Sequence, residues 1–306
     1  MVSSALVACA NGEKAPEISM ESTSPTSTSV APELHGRRFC DDMAEPIQVG
    51  RITDPELVEI SGVVASRRHE GVFWVHNDSG DSARIFAISL TGERLGEFRI
   101  DGIDAFDFED ITLIDTQDVY ADELVIADIG DNAAERDSVF LTYLAEPDLP
   151  ADPAQPVHIT EFAWTEYEYD DGPRDAESVF VDPETSEVVI ISKDYFDTQS
   201  LYRPGKQVDS KVAPISRVAP VELGEGQIAT SADADASAVL VRTYTDVLVF
   251  ERSYGETTAE ALERKPCVAP SAKEKQGEAI ALLADGSGYL TISEGLNAPI
   301  WLVSVR

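Results

Sequence analysis

Four segments of this chain set an acidic residue directly ahead of an apolar run: Glu59-Ile-Ser-Gly-Val-Val, Glu109-Asp-Ile-Thr-Leu-Ile, Glu177-Ser-Val-Phe-Val and Glu278-Ala-Ile-Ala-Leu-Leu. A fifth, Ile228-Ala-Thr-Ser-Ala-Asp, keeps the register without the acid, and the successive steps are 50, 68, 51 and 50 residues. If the starts of these runs meet on one axis, Glu109, Glu177 and Glu278 converge. Either Glu59 or Ser61 then fills the matching place in the first unit, and Thr230 or Ser231 in the fourth. Carboxylates a few ångströms apart raise one another's pKa unless a cation neutralises them. Ca²⁺ suits such a ring because it accepts about six to eight oxygens in a flexible geometry. Zinc is disfavoured: the only histidines are His35, His69, His76 and His158, with no ligand spacing among them. The competing reading is structural, with the acids accepting hydrogen bonds from loop amides to hold the units in register.

The ends of the second apolar runs add to this chemistry. They read His76-Asn77-Asp78-Ser79-Gly80-Asp81, Asp128-Ile129-Gly130-Asp131-Asn132, Ser192-Lys193-Asp194, Arg242-Thr243-Tyr244 and Ser293-Glu294-Gly295. If neighbouring strands alternate in direction, these ends lie at the mouth where the acidic runs begin. Asn77, Asp78, Asp131, Asn132, Lys193, Arg242, Tyr244 and Glu294 are therefore the candidate substrate contacts, and Asp128 the candidate base that activates water. Lys193 and Arg242 would either grip a phosphate or carboxylate or form ion pairs with Glu177, Asp194 or Glu294. Motifs for a serine hydrolase, a zinc protease, a P-loop and a dinucleotide fold are missing.

The elements that must position these groups are strands. Runs such as Val72–His76, Arg84–Leu90, Leu124–Ala127, Val188–Ser192, Val239–Thr243 and Tyr289–Ser293 are short, apolar and bounded by turn residues. Thr257–Glu263 is the one short helix expected. A repeat of about 50 residues and four strands has the size of a propeller blade. The expected fold is thus all-β, a five-bladed β-propeller; six blades result if the 68-residue unit, read as carrying one long outer strand Val157–Tyr169, is divided. The last unit has three strands, so the early run Pro46–Ile52 supplies the fourth and closes the ring.

Composition bounds the partners. With 23 basic and 57 acidic residues the formal charge is −34, which repels nucleic acids and anionic membranes. Leu6-Val7-Ala8-Cys9 has the form of a bacterial lipobox, and residues 10–38 form a Ser/Thr/Pro/Glu-rich tether that cannot bury a core. The expected organisation is an export-signal remnant over 1–9, the tether, and a propeller over 39–306. Cys9 would be lipidated, giving the only membrane attachment, while Cys40 and Cys267 would form a disulfide in an exported, monomeric protein.

At Glu59-Ile-Ser-Gly, His76-Asn-Asp-Ser-Gly-Asp, Phe108-Glu-Asp-Ile, Asp128-Ile-Gly-Asp-Asn, Asp175-Ala-Glu-Ser, Arg242-Thr-Tyr, Gln276-Gly-Glu-Ala-Ile-Ala and Ser293-Glu-Gly, the chain resembles a family of exported bacterial propeller proteins. More remotely it is similar to the calcium-dependent apyrases, five-bladed propellers whose axial Ser and Glu residues hold Ca²⁺. That likeness implies Ser61, Glu109, Glu177, Ser231 and Glu278 as the axial set, with Glu59 beside it. Phytase-like esterases and gluconolactonase-like propellers share the plan with other substrates, and fold does not choose among them. The functional expectation is a calcium-binding propeller that hydrolyses a phosphate ester, anhydride or lactone at its mouth. The alternative is a non-catalytic ring that binds a glycan or a protein.

Overall fold

A computed structural model describes residues 39–195, 198–208 and 211–306. The lipobox and tether lie outside the described residues. In chain order the strands are β1 (Ile47–Arg51), β2 (Ile60–Ala65), β3 (Val72–Asn77), β4 (Arg84–Ser89) and β5 (Arg94–Ile100). Next come β6 (Phe108–Ile114), β7 (Glu123–Asp128), β8 (Val139–Ala145), β9 (Val157–Ile159) and β10 (Ala163–Tyr169). They are followed by β11 (Ala176–Val181), β12 (Val188–Ser192), β13 (Gln199–Pro204) and β14 (Ala213–Val221). The last are β15 (Ala229–Ala234), β16 (Ala238–Thr243), β17 (Val247–Glu251), β18 (Cys267–Ala269), β19 (Gly277–Leu282), β20 (Gly288–Ser293) and β21 (Pro299–Ser304). The single helix among the described residues, α1 (Thr258–Leu262), starts at a capping box formed by Thr257 and Glu260.

The fold is all-β and propeller-like. Each group of strands is an antiparallel meander, with α1 in the connection between β17 and β18, and the first strands of successive meanders pack together: β2 on β6, β6 on β11, β11 on β15, β15 on β19, and β19 back on β2. First and second strands are buried along almost their whole length, as strands covered on both faces must be. Trp74, Phe98, Ile126 and Leu144, for example, share one apolar layer contributed by β3, β5, β7 and β8.

The expected closure is present. Strand β1 pairs antiparallel with β21, Ile47 opposite Leu302 and Gln48 opposite Trp301. The Cys40–Cys267 disulfide, with Cα atoms 5.9 Å apart, ties the start of the folded body to β18. Such a bond fits a non-reducing, exported setting. No helix among the described residues is long and apolar enough to cross a membrane.

The enlarged unit departs from expectation. The run Val157–Tyr169 is two strands: β9 leaves to pair parallel with β5, and β10 stays antiparallel to β8. Strand β10 also pairs parallel with β14, Tyr167 opposite Ala213, which joins two meanders edge to edge into one eight-stranded sheet. The extra residues of the 68-residue step therefore cover outer edges, which would otherwise expose unpaired backbone groups.

Two carboxylates serve the structural role weighed for the acids. Asp110 Oδ1 accepts from Ser231 Oγ at 3.1 Å and Ile111 N at 3.0 Å; Oδ2 accepts from Val179 N at 3.0 Å and Ala232 N at 3.3 Å. One side chain thereby links β6 to β11 and β15. Asp233 Oδ2 likewise accepts from Leu282 N at 2.8 Å, linking β15 to β19. Replacing Asp110 with Ala leaves buried donors on three strands unpaired, and we expect a loss of about 3 kcal/mol in a urea titration. A midpoint unchanged in the variant would show that the bridge holds nothing together.

Candidate functional site

At the start of each first strand the ladder slips by one residue against the second strand. The shifts fall between Ile60 and Val63, Phe108 and Asp110, Ala176 and Ser178, Ala229 and Ser231, and Gly277 and Ala279. A bulge bends the strand and re-aims the side chain of the extra residue. The extra residues are Glu109, Glu177, Thr230 and Glu278, with Ser61-Gly62 in the first unit. This settles the two registers that the sequence leaves open. Ser61, not Glu59, matches the acids, and Thr230, not Ser231, matches them in the fourth unit. Ser231 instead faces Asp110, as described above, and Thr230 Oγ1 donates to Gly277 O at 2.8 Å.

Four of the five bulges, those at Ser61, Glu109, Glu177 and Glu278, open onto one polar cavity of about 220 Å³; Thr230 is fully buried and does not line it. Its walls bring together Glu59, Ser61, Asp78, Glu109, Asn132, Glu177, Lys193, Tyr244, Glu278 and Glu294 from the predicted set. Other predicted residues lie elsewhere. Asn77 braces the neighbouring loop, its Nδ2 donating to Glu56 O and to Asp81 Oδ2, both at 2.7 Å. Asp131 accepts from Glu135 N at 2.9 Å and Arg136 N at 2.8 Å. Arg242 is fully buried, and its Nη2 lies 2.6 Å from Glu274 Oε2, a partner not among those expected from the sequence. Asp128 receives Phe106 N at 2.9 Å and Asp107 N at 3.2 Å and pairs with Arg136 at 2.8 Å. It does not line the acidic cavity but borders an aromatic groove.

The structure also adds residues outside the predicted site set: Tyr195 and Gln276 on the cavity wall, Asp107 in a carboxylate cluster with Asp78 and Glu109, and Asp175, whose charge raises Glu109. A signal for three of them exists. Asp107, Asp175 and Gln276 stand two residues ahead of Glu109, Glu177 and Glu278, as Glu59 stands two ahead of Ser61. Each directly precedes a first strand, Asp107 before β6, Asp175 before β11 and Gln276 before β19, so a polar residue there marks the same mouth.

Carboxylate oxygens of Asp78 and Glu109, on the cavity wall, and of Asp107 all lie within 4.8 Å of one another. Ser61 Oγ donates to Glu109 O at 2.6 Å, and its contact with Glu109 Oε2 is 3.4 Å. Gly130 passes so close that a Cβ there would collide with Glu109 Oε1 and Asp107 Oδ2. Opposite stands Lys193, 7% exposed, in an ion pair with Glu177 Oε1. Its ammonium lies 5.6 Å from the Tyr195 ring centre and 5.7 Å from that of Tyr244. Glu177 itself is 6% exposed and its Oε2 has no hydrogen-bond partner.

The crowding is electrostatically costly. Burial, reinforced by Asp78, Asp107 and Asp175, pushes the Glu109 carboxyl well above the usual range, with Lys193 opposing. Burial and then Asp78 push Asp107 up to about 6, with Arg136 opposing. Burial pushes Glu278 up to about 7 although Gln276, donating to its Oε1 at 2.8 Å, and Lys193 pull it down. Burial, Asp78 and Glu59 raise Glu294. An all-oxygen donor set of this kind could hold a hard cation. Two oxygens bound to one Ca²⁺ at about 2.3–2.6 Å cannot be much more than about 5 Å apart, and the Asp78–Asp107–Glu109 group meets that limit.

No protein-family model matches the chain, and no curated protein matches it. Among solved structures it is similar to a gluconolactonase from Xanthomonas campestris at 10% identity, covering 85% of this chain and 89% of that one, with a TM-score of 0.45. It is also similar to a luciferin-regenerating enzyme (8%; 85% and 95% covered; TM-score 0.43). A third is the soluble aldose sugar dehydrogenase of Escherichia coli (8%; 86% and 100% covered; TM-score 0.48).

Proposed function

We propose that this chain is an exported, five-bladed propeller, anchored through a lipid on Cys9, that binds Ca²⁺ at its acidic mouth and hydrolyses a small ester there. Convergence of Asp78, Asp107 and Glu109 is the observation that carries the reading. These three would hold the ion, with Ser61 and Glu177 beside them; the free Glu177 Oε2 is a further buried oxygen in want of a partner. Bound Ca²⁺ would supply Lewis-acid polarisation of a carbonyl or phosphoryl oxygen. The chain's own groups do the rest. Glu278, with a pKa near 7 held there by burial, can take and return a proton at neutral pH. Asn132 and Gln276 offer amides that orient a polar ligand on the cavity wall. Asp128, engaged by two backbone amides and Arg136, gives way to Glu278 as the proposed base.

Calorimetric titration with CaCl₂ tests the first half. We expect one saturable site, lost or weakened at least about a hundredfold in Asp107→Asn, since a charged ligand, here half-buried, contributes up to about 3 kcal/mol. Assays with lactones and phosphate esters test the second. Glu278→Gln should lower kcat by about 10²-fold or more while calcium still binds. Calcium binding with inactivity across the panel would make the ring a binding module; no calcium binding would remove the site.

A further inference from the structure

The segment leading into β6 also borders a second, aromatic surface. Asp107 and Glu109 belong to the acidic cluster, whereas Phe106 and Phe108 line a groove of about 170 Å³. Phe140 and Trp164 continue its wall. The Phe106 and Phe140 rings stack with centres 6.2 Å apart, and Phe140 and Trp164 are tilted at 5.4 Å. Phe106 is 61% exposed and Trp164 49%. A contiguous aromatic surface left to solvent marks a binding site more often than an isolated apolar residue does.

The charges around the groove narrow the choice of ligand. Its charged lining residues are Asp104 and Asp128, both acidic. The guanidinium of Arg136 stands over the Phe106 ring, 5.6 Å from its centre, and is paired with Asp128 at 2.8 Å. The faces of aromatic rings are electronegative and attract cations, and ammonium groups bearing methyls suit them best because little hydration is lost. A net charge of −34 draws such ligands toward the surface and repels anions. We propose that the groove formed by Phe106, Phe140 and Trp164 beside Asp104 binds a small organic cation, an alkylated ammonium head group. This site is separate from the acidic cavity and its occupancy does not depend on calcium.

Titration calorimetry in EGTA, with choline chloride as the probe and sodium chloride matched throughout, tests the idea. The uncharged isostere 3,3-dimethylbutan-1-ol and glucose serve as comparison ligands. Choline should bind saturably, with the isostere at least about tenfold weaker, the contribution expected of a partly desolvated cation–π contact. Trp164→Ala should weaken choline by about tenfold, and Asp104→Asn severalfold, with melting temperatures near that of the parent. Asp104 is exposed, so its variant carries the test should the tryptophan variant misfold. Equal binding of the isostere would reduce the groove to an apolar cleft. Glucose binding without choline would make it a carbohydrate platform, and no binding by any ligand would end the proposal.

Discussion

Millimolar calcium should raise the melting temperature by about 8 °C, EGTA should abolish the gain, and the gain should grow as pH rises from about 5 to about 7.5. The magnitude follows from linkage: a ligand at a thousandfold excess over its Kd contributes about 4 kcal/mol. The pH dependence follows from the acids. Asp107 sits at about 6 and Glu278 at about 7 in the folded chain, both above the unfolded value of about 4. Between those limits the folded protein binds more protons than the unfolded one, so calcium-free stability falls as pH rises. Asp233, pushed up to about 7 by burial, adds to the same slope. His76 opposes it, because burial keeps its ring neutral and the unfolded chain gains a proton below about 6.5. Asp81 and Asp182 are held low by hydrogen bonds and lose their contribution only in stronger acid, below about 4. Bound calcium would offset the penalty of the cavity acids and not that of Asp233, which accepts from a single β19 amide, Leu282 N, instead. In Asp107→Asn the calcium gain should therefore fall to about 3 °C or less, while the slope from Asp233 and Glu278 persists. Melting curves that do not respond to calcium at any of these pH values would refute the ion site.

Much of this site was legible in the sequence because its residues repeat. An acid ahead of an apolar run, recurring at blade-sized intervals, implies convergence whatever the details of each turn. That logic placed Glu109, Glu177 and Glu278 on one cavity, and the second-strand ends delivered Asp78, Asn132, Lys193, Tyr244 and Glu294 to it. The early run around Ile47 likewise announced its pairing with the last strand, since the final unit lacked a fourth. What the sequence hid was register. A bulge leaves no residue signature at Thr230 or Ser61, and a one-residue slip decides which side chain reaches the axis. The same blindness affected neighbours: Asp110, next to Glu109, joins three strands while Glu109 faces the cavity. Asp128 and Arg242 were drawn to the mouth by their position at strand ends, yet their side chains turn to Arg136 and Glu274. Strand order gives the end of the ring a residue occupies; only the packing gives the direction in which it points.

Removing the disulfide should have the largest effect on the fold. The double variant Cys40→Ser/Cys267→Ser should lose about 5 kcal/mol in a denaturant titration, because the bond closes a loop separating residues by 227 positions. The loss should appear first where the crosslink restrains the chain. The cysteines pack with Phe39, Met43, Ala269 and Val305, and Met43 bridges to Val305 next to the pairing of β1 with β21. Without the bond, β1 can leave β21 at little cost, so its amides should exchange with solvent much faster than those of β20. The acidic cavity should respond later. Its side chains come from first strands and the loops beside them, and β19 packs on β2 independently of β1. At denaturant concentrations where β1 has already opened, calcium affinity should therefore be unchanged. A variant that loses calcium binding and β1 protection together would mean that the closing strand and the axis unfold as one unit. A variant with an unchanged midpoint would mean that the packing of β1 on β21 closes the ring without help from the covalent bond.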